Sequence, residues 1–356
     1  MSRMTDASRT LEVGLVGFGL GGGSFHAPLI ASTPGLRLAA VVTRNLERRG
    51  EVERLYPEAR TVSSVEELWA MTPKLDLVVV STPNATHVPL ARAALEAGAH
   101  VVVDKPFAPT ADEARAIGAL AERVSRLAIP YQNRRWDGDF LTVQRLLREN
   151  RFGDVMRLES RFERWRATPK PGWITPDAPA KAEGVVYDLG THLIDQALVL
   201  WGPVATVYAE LEKRHPDVHV EDEAFISLVH AGGVRSHLYM SMAAAQSGAR
   251  LMVWGTRGAY VKHGLDVQEA ALREGARPGG PSWGVEERDK WGWFGMADER
   301  RHEPTEPGAY PAFYAGVERA IRTGAPAPVT VDEAVASLTV VEAALRSGRE
   351  RQPVRL

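Results

Sequence analysis

The spacing of apolar and polar positions divides the chain into two stretches of different rhythm. Over roughly the first 130 residues, short continuous Val/Leu/Ile runs alternate with amphipathic segments. LEVGLVGFG, from Leu11, reads as a strand running into glycines. A helical stretch follows from about Phe25 to Ser32, and then a second strand at Leu36–Val42. SVEELWAM reads as a helix opened by Ser64, with Glu67 completing a capping-box pattern. LDLVVVST is a third strand, and THVPLARAALEAG a helix ended by Gly98. HVVVDKP is a further strand, before a helix capped by Thr110. Buried strands alternating with helices predict a parallel sheet covered on both faces. Residues 1–10 read as a loose polar tail.

Beyond that point the pattern changes. FLTVQRLLREN predicts a helix, and VMRLESRFERW alternates like a half-exposed strand. A loop rich in Pro and Gly leads to the helix YDLGTHLIDQALVLWG. From Val204 to Lys262, five strand-like runs are separated by turns, marked by Gly232-Gly233 and by Gly255 and Gly258. Short turns between consecutive strands predict a mostly antiparallel, open sheet. Residues 264–308 read as one long irregular loop holding Trp283, Trp291 and Trp293, a lid or a subunit contact. Two helices close the chain. The fold expected is α/β: a Rossmann doubly wound parallel sheet over residues 1–128, then an α+β domain over 129–356 for substrate binding and oligomerisation. A sheet with one open face suits a homodimer or homotetramer.

Composition narrows the functions open to such a fold. A net charge of -2 gives no electrostatic reason for nucleic acid or an anionic membrane as partner. With no cysteine in the chain, disulfides, thiolate catalysis and Cys-ligated zinc are excluded. The polar start lacks an apolar signal core, and no run of about 18 apolar residues is present, so a cytoplasmic protein is expected.

The chemistry begins at Gly17-Phe18-Gly19-Leu20-Gly21-Gly22. This G-x-G-x-x-G lies between a strand and a helix, the context in which the motif binds a dinucleotide. Gly17 would permit the tight turn, Gly19 a close approach to pyrophosphate, and Gly22 close packing of helix on strand. An NAD site usually has an acidic residue at the end of the second strand, for the ribose 2′-OH. Here Val42-Thr43-Arg44-Asn45 offers a hydroxyl and a guanidinium instead, with Arg48 and Arg49 just beyond. That pair suits a 2′-phosphate, which favours NADP over NAD.

Further motifs follow in order: Thr82-Pro83-Asn84-Ala85-Thr86-His87, Asp104-Lys105-Pro106, Asn133-Arg134-Arg135-Trp136, and Asp188-Leu189-Gly190-Thr191-His192. With the glycine loop they resemble the Gfo/Idh/MocA family of sugar and polyol dehydrogenases, over nearly the whole chain. The runs FHAPLI, VVVDKPF, NRRWDGDFLT and YDLGTHLIDQA are similar to its branch of NADP-dependent scyllo-inositol dehydrogenases. The resemblance implies that Lys105 is catalytic, with a Lys105–Pro106 bond that is often cis, and that Asp188 and His192 line the substrate pocket. It further implies cofactor contacts at Thr82, Pro83 and Asn84; Ser81, His87 and Asp104, in the same two motif segments, are expected to take part in binding the cofactor. One feature departs: relatives often carry a Trp-Arg pair before the D-x-x-x-H motif. This chain has Gly172-Trp173-Ile174, with Trp165-Arg166 further upstream.

The residues themselves allow matching roles. A lysine after a parallel strand can donate to a developing alkoxide. Histidine suits proton removal near neutral pH, with a pH–rate limb expected there. Asp188, four residues before His192, would share its helix face and orient substrate hydroxyls or raise the imidazole's basicity. Arg134 would reach substrate in the cleft between domains, while His26 and His87 either contact cofactor or cap and pack. No third and fourth ligand stand at metal-binding spacing, so no metal is expected. The reading that results is hydride exchange between NADP(H) and a secondary alcohol of a cyclic polyol or sugar. A non-catalytic dinucleotide-binding regulator, or another sugar-modifying enzyme on the same scaffold, would share the glycine loop.

Overall fold

A computed structural model describes residues 9–71 and 75–356, so most of the expected tail lies outside it. The first domain runs β1 (Leu11–Val16), α1 (Ala27–Ser32), β2 (Leu36–Val42), α2 (Leu46–Leu55), β3 (Arg60–Val62) and α3 (Val65–Trp69). It continues through β4 (Leu77–Val80), α4 (His87–Glu96), β5 (His100–Val103), α5 (Ala111–Arg123) and β6 (Ala128–Pro130). All six strands are parallel, in the order β3-β2-β1-β4-β5-β6. The chain reverses its winding between β1 and β4, and the crevice at such a reversal is where open α/β sheets bind ligands.

The continuous apolar runs are explained by burial on both faces. Val78 and Val80 point toward α4 and α5, while Leu11, Val13 and Leu15 point toward α1. Helix starts follow local chemistry: Asn45 Oδ1 accepts from Arg48 N–H at 2.9 Å, and Thr110 Oγ from Glu113 N–H at 3.2 Å. The expected box at Ser64 closes only halfway. Ser64 accepts from Glu67 N–H at 3.3 Å, but the Glu67 carboxylate takes the neighbouring Ser63 hydroxyl at 2.5 Å.

The second domain comprises α6 (Gly138–Arg148), β7 (Val155–Glu163), α7 (Thr191–Trp201), β8 (Val204–Glu212), β9 (Glu223–His230), β10 (Arg235–Ser241), β11 (Leu251–Gly255) and β12 (Gly258–Lys262). It ends with α8 (Val267–Arg273), β13 (Gly292–Met296), β14 (Glu299–Glu303), α9 (Pro311–Thr323), α10 (Val331–Glu350) and β15 (Val354–Arg355). Nine strands form one sheet, β14-β13-β12-β11-β7-β10-β9-β8-β15. Its pairings are antiparallel except at the centre, where β7 and β10 run parallel. Helices α7 and α10 cover one face.

The structure corrects the expectation of an irregular 264–308. Helix α8 and the hairpin β13–β14 lie there, the latter extending the sheet by pairing with β12. Gly292 and Gly295 interrupt the apolar alternation, which hid the strand. The tryptophans serve this segment's own packing. Trp283 donates to Gln268 Oε1 at 2.9 Å, Trp291 to the Glu286 carbonyl at 3.1 Å, and Trp293 stacks on His302 at 3.8 Å.

Helix α9 returns from the end of the chain to the first domain. Its buried Phe313 and Tyr314 pack on Tyr131, just past β6, with ring centroids 4.8 and 6.3 Å apart. The two domains therefore share a core although their sequences are separate. Truncating Phe313, which is fully buried, should cost about 3–5 kcal/mol. Urea unfolding of Phe313→Ala checks this; an unchanged midpoint would mean that α9 does not contribute to the first domain's stability.

Candidate active site

A cleft of about 540 Å³ opens at the carboxyl ends of β1, β4, β5 and β6 and is closed on its other side by the second domain. The glycine loop forms one wall, and each glycine has a distinct steric reason. Gly17 has φ +95°, and a Cβ there would lie 2.1 Å from the Ser81 carbonyl oxygen. A Cβ on Gly22 would lie 2.1 Å from the Gly17 carbonyl oxygen, so the helix can approach the strand only without one. At Gly19 the nearest atom would be an Arg48 Nη at 4.0 Å, so this position faces open space. That open, glycine-lined cradle at a helix start fits a pyrophosphate. The turn following the loop, Leu20–His26, is π-helical and starts five residues before the expected helix. Three successive glycines weaken the helical signal in the sequence there.

The neighbouring strand ends support this loop. Asp104 accepts from Ser81 Oγ at 3.0 Å and from Lys105 N–H at 2.8 Å, and lies 3.4 Å from His26 Nε2. Burial would raise its carboxyl; His26 and Lys105 outweigh that and hold it well below the usual range. His26 in turn contacts Tyr314 of α9 at 2.6 Å. His87 is buried, with Nδ1 2.7 Å from the Pro106 carbonyl oxygen and Nε2 2.8 Å from that of Thr82. It ties two cleft loops together from behind. The Lys105–Pro106 peptide is cis. Asn84 donates across the domains to the Ala182 carbonyl at 2.8 Å.

At the far end of the cleft a carboxylate sits between two lysines. Lys105 Nζ donates to Asp188 Oδ1 at 2.9 Å and to the Asp188 carbonyl oxygen at 2.8 Å, and Lys170 Nζ donates to Asp188 Oδ2. Asp188 lies in a π-helical turn, Val186–Gly190, whose first N–H donates to Glu221 at 3.2 Å. Burial would raise the Asp188 carboxyl, but the two lysines pull it far below its ordinary value, so it remains an anion. Lys170 is pushed down by burial and by Lys105, against the pull of Asp188.

His192, on the first turn of α7, has Nδ1 3.2 Å from Gln132 Oε1. With that oxygen as acceptor Nδ1 carries the proton, and Nε2 keeps a lone pair. Among the described residues Nε2 has no hydrogen-bond partner, and His192 lines the cleft. Burial first, then Lys105 and Arg134, push its pKa well below the ordinary value. It makes no hydrogen bond to Asp188, whose two carboxylate oxygens are already taken by lysines. Arg134 reaches the cleft, but its guanidinium is bound to Glu269 and lies 3.2 Å from Tyr310 Oη and 3.5 Å from Asp137. Its surroundings thus fix its orientation.

Of the residues singled out in the sequence, Gly17, Phe18, Gly19, Ser81, Thr82, Pro83, Asn84, Asp104, Lys105, Arg134, Asp188 and His192 line this one cleft. Gly22, Thr43, Arg44 and His87 do not; Arg44 instead donates to the Ser63 carbonyl at 3.2 Å. Arg48, which stands just beyond Arg44 in the sequence, is in the lining, and sequence reasoning missed Arg164, Lys170 and Arg273 there. These three lie in or beside loops with no motif. Among the described residues, no group of three or more His, Asp or Glu is placed to hold a metal ion, and no helix is long and apolar enough to cross a membrane.

Comparison with known proteins places this geometry. Residues 11–131 match the model of the oxidoreductase family with an NAD-binding Rossmann fold, and residues 140–261 that of the GFO/IDH/MocA C-terminal domain. The chain is 39% identical over 346 residues to the uncharacterized oxidoreductase YdgJ of Escherichia coli, covering 97% of this chain and 98% of that one. It is 32% identical over 351 residues to the NADP(+)-dependent scyllo-inositol 2-dehydrogenase IolW of Bacillus subtilis, covering 98% and 96%. The solved structure of an oxidoreductase from Bacillus cereus superimposes with a TM-score of 0.86 at 28% identity, over 98% of this chain and 99% of that one.

The environment of His192 moves the pH limb expected near neutrality. An imidazole whose pKa is lowered on folding is neutral, and able to take a proton, above that lowered value; it loses this ability as pH falls through it. The acid limb of turnover should therefore lie well below the ordinary value of about 6.5. It should vanish in His192→Asn. A pH profile with its midpoint at or above that ordinary value would contradict the burial and charge argument.

Proposed function

The chain belongs to the Gfo/Idh/MocA family of oxidoreductases, and from that premise we propose that it moves a hydride between NADP(H) and a secondary alcohol of a cyclic polyol or sugar. The observation that carries this reading is the pairing at the cleft's end: an ammonium group fixed on Asp188, and an imidazole with a free Nε2 lone pair. A bound nicotinamide supplies hydride acceptance and donation. The chain's own residues do the rest. His192 Nε2 takes the hydroxyl proton, and Lys105 donates a hydrogen bond to the oxygen as negative charge develops on it. Asp188 holds Lys105 in place through two acceptors. Arg134, pinned by Glu269, presents an oriented guanidinium to a substrate hydroxyl.

The preference for NADP is supported by the end of β2, where no carboxylate stands, and by Arg48, whose guanidinium is the nearest group to the Gly19 opening. Arg48 lines the cleft, whereas Arg44 is exposed and bonded to the Ser63 carbonyl. The polyol class is supported by the name of the Bacillus subtilis relative, which acts on scyllo-inositol with NADP(+).

Two measurements test the proposal. Titration should show tighter binding of NADPH than NADH. A hydrogen bond to a charged phosphate is worth about 1.5–3 kcal/mol, so Arg48→Ala should lose about tenfold or more of the NADPH affinity and little of the NADH affinity. Equal affinities in the parent protein would reject the cofactor assignment. A screen of inositols and aldoses with both cofactors should then give nicotinamide reduction with at least one cyclic polyol or sugar. Reduction with none of them would reject the substrate class.

A further inference from the structure

The charges around the reacting end of the cleft do not balance. Lys105, Lys170, Arg134, Arg164, Arg166 and Arg273 line the cleft, against the carboxylates of Asp104, Asp188 and Glu269. All three carboxylates are already committed, Asp104 to the Ser81 hydroxyl and the Lys105 N–H. Asp188 is shared by Lys105 and Lys170. Glu269 is bound by Arg134 and by Arg273 at 2.9 Å. Arg164, just past the end of β7, gets only a loose contact with Glu269, at 3.9 Å. Among the described residues its guanidinium makes no hydrogen bond, although its side chain is only 27% exposed. Burial and Arg134 push its pKa down, so its charge is carried at a cost. Arg166, two residues on, adds repulsion to Lys170 and has no ion-pair partner among the described residues.

Resting on the dehydrogenase reading, we propose that the substrate carries an anionic group, a carboxylate or a phosphate, seated on Arg164 and Arg166. The dinucleotide does not account for these cations. Its phosphates belong at the glycine loop, at a helix start and beside Arg48, and its oxidised nicotinamide is itself positive. Arg164 instead lies among Glu269, Arg134 and Asp188, at the substrate end. A neutral polyol would offer only hydroxyls to Arg164 and Arg166, neither of which is hydrogen-bonded to a carboxylate among the described residues. An anion would supply the missing acceptors for a desolvated guanidinium, through paired charge-assisted hydrogen bonds. Lys105 and His192 would then meet a hydroxyl of the same molecule, so that one end is held by charge while the other reacts.

The test is calorimetric titration of the NADPH-loaded protein with D-glucuronate, D-glucose 6-phosphate and D-glucose, at low and at raised salt. At least one anionic sugar should bind about tenfold or more tightly than glucose, and the advantage should shrink as salt rises. Arg164→Gln should remove most of that advantage, Arg166→Gln part of it, and Arg164→Lys should restore some. Preference for glucuronate alone would assign a carboxylate, and preference for the phosphate ester alone a phosphate. Glucose binding as well as both anions, an advantage that survives Arg164→Gln, or binding of none of the three would overturn the inference. Hydride transfer is read separately by nicotinamide absorbance. Turnover of neutral polyols with no preference for anions would sink this inference and leave the dehydrogenase standing. Anion binding without any hydride transfer would sink the dehydrogenase and keep the anion site.

Discussion

Asp188 sits between Lys105 and Lys170, and most of the site's geometry follows from what that carboxylate must satisfy. It is largely withdrawn from solvent, with 21% of its side chain exposed, and it takes a charged partner from each domain. Lys105 extends from just past β5 of the parallel sheet, and Lys170 from the loop after β7 of the second sheet. The contact therefore joins the two domains at the point where a substrate oxygen would sit. Lys105 donates to Asp188 Oδ1 and to the Asp188 carbonyl oxygen, which fixes its Nζ at the end of the cleft. Because both carboxylate oxygens are engaged by lysines, Asp188 is not available to His192, whose partner is Gln132 instead. Burial first, and then Lys105 and Arg134 against the weaker pull of Asp188 and Asp104, push the imidazole toward its neutral, proton-accepting form.

Behind this contact lies a second layer that determines where Lys105 can be. Asp104 fixes the lysine's own N–H and the Ser81 hydroxyl, and His87 bridges the Pro106 and Thr82 carbonyls. His26 and Tyr314 extend this layer into α9, so the last third of the chain supports the first glycine loop. Buried polar groups of this kind are stabilising only when each has a partner, which makes the layer intolerant of single changes.

Most of the fold was legible because it rests on periodicity. The buried β1, β4 and β5 read as continuous apolar runs, and β8 to β12 as alternating ones. The glycine loop was legible in detail, since steric demands at Gly17 and Gly22 leave no other residue. What escaped depended on contacts between distant segments. Strands β13 and β14 exist because β12 offers an edge, and α9 returns to the first domain through aromatic packing that no local pattern encodes. In the site, Lys105, Asp188 and His192 were visible as motifs, but the partner of Asp188 was not: Lys170 lies in a Pro-rich loop of no regular period. His87 and Asp104 stand in motifs, but the hydrogen bonds by which they tie the cleft loops together were not visible there: His87 bridges from outside the cleft lining, and Asp104 does so within it.

The central claim is that Lys105 and His192, from different domains, act on one substrate oxygen. Single-turnover hydride transfer in Lys105→Met, His192→Asn and the double variant tests it most directly, followed by nicotinamide absorbance with cofactor saturating. Loss of a preorganised donor costs about 10²–10³ in rate, and loss of a general base about 10²–10⁴. Each single variant should fall in that range, and the double variant should be much less impaired than the product of the two losses, since groups acting as a unit are not additive. Parental rates in either single variant, or losses that multiply, would contradict the account.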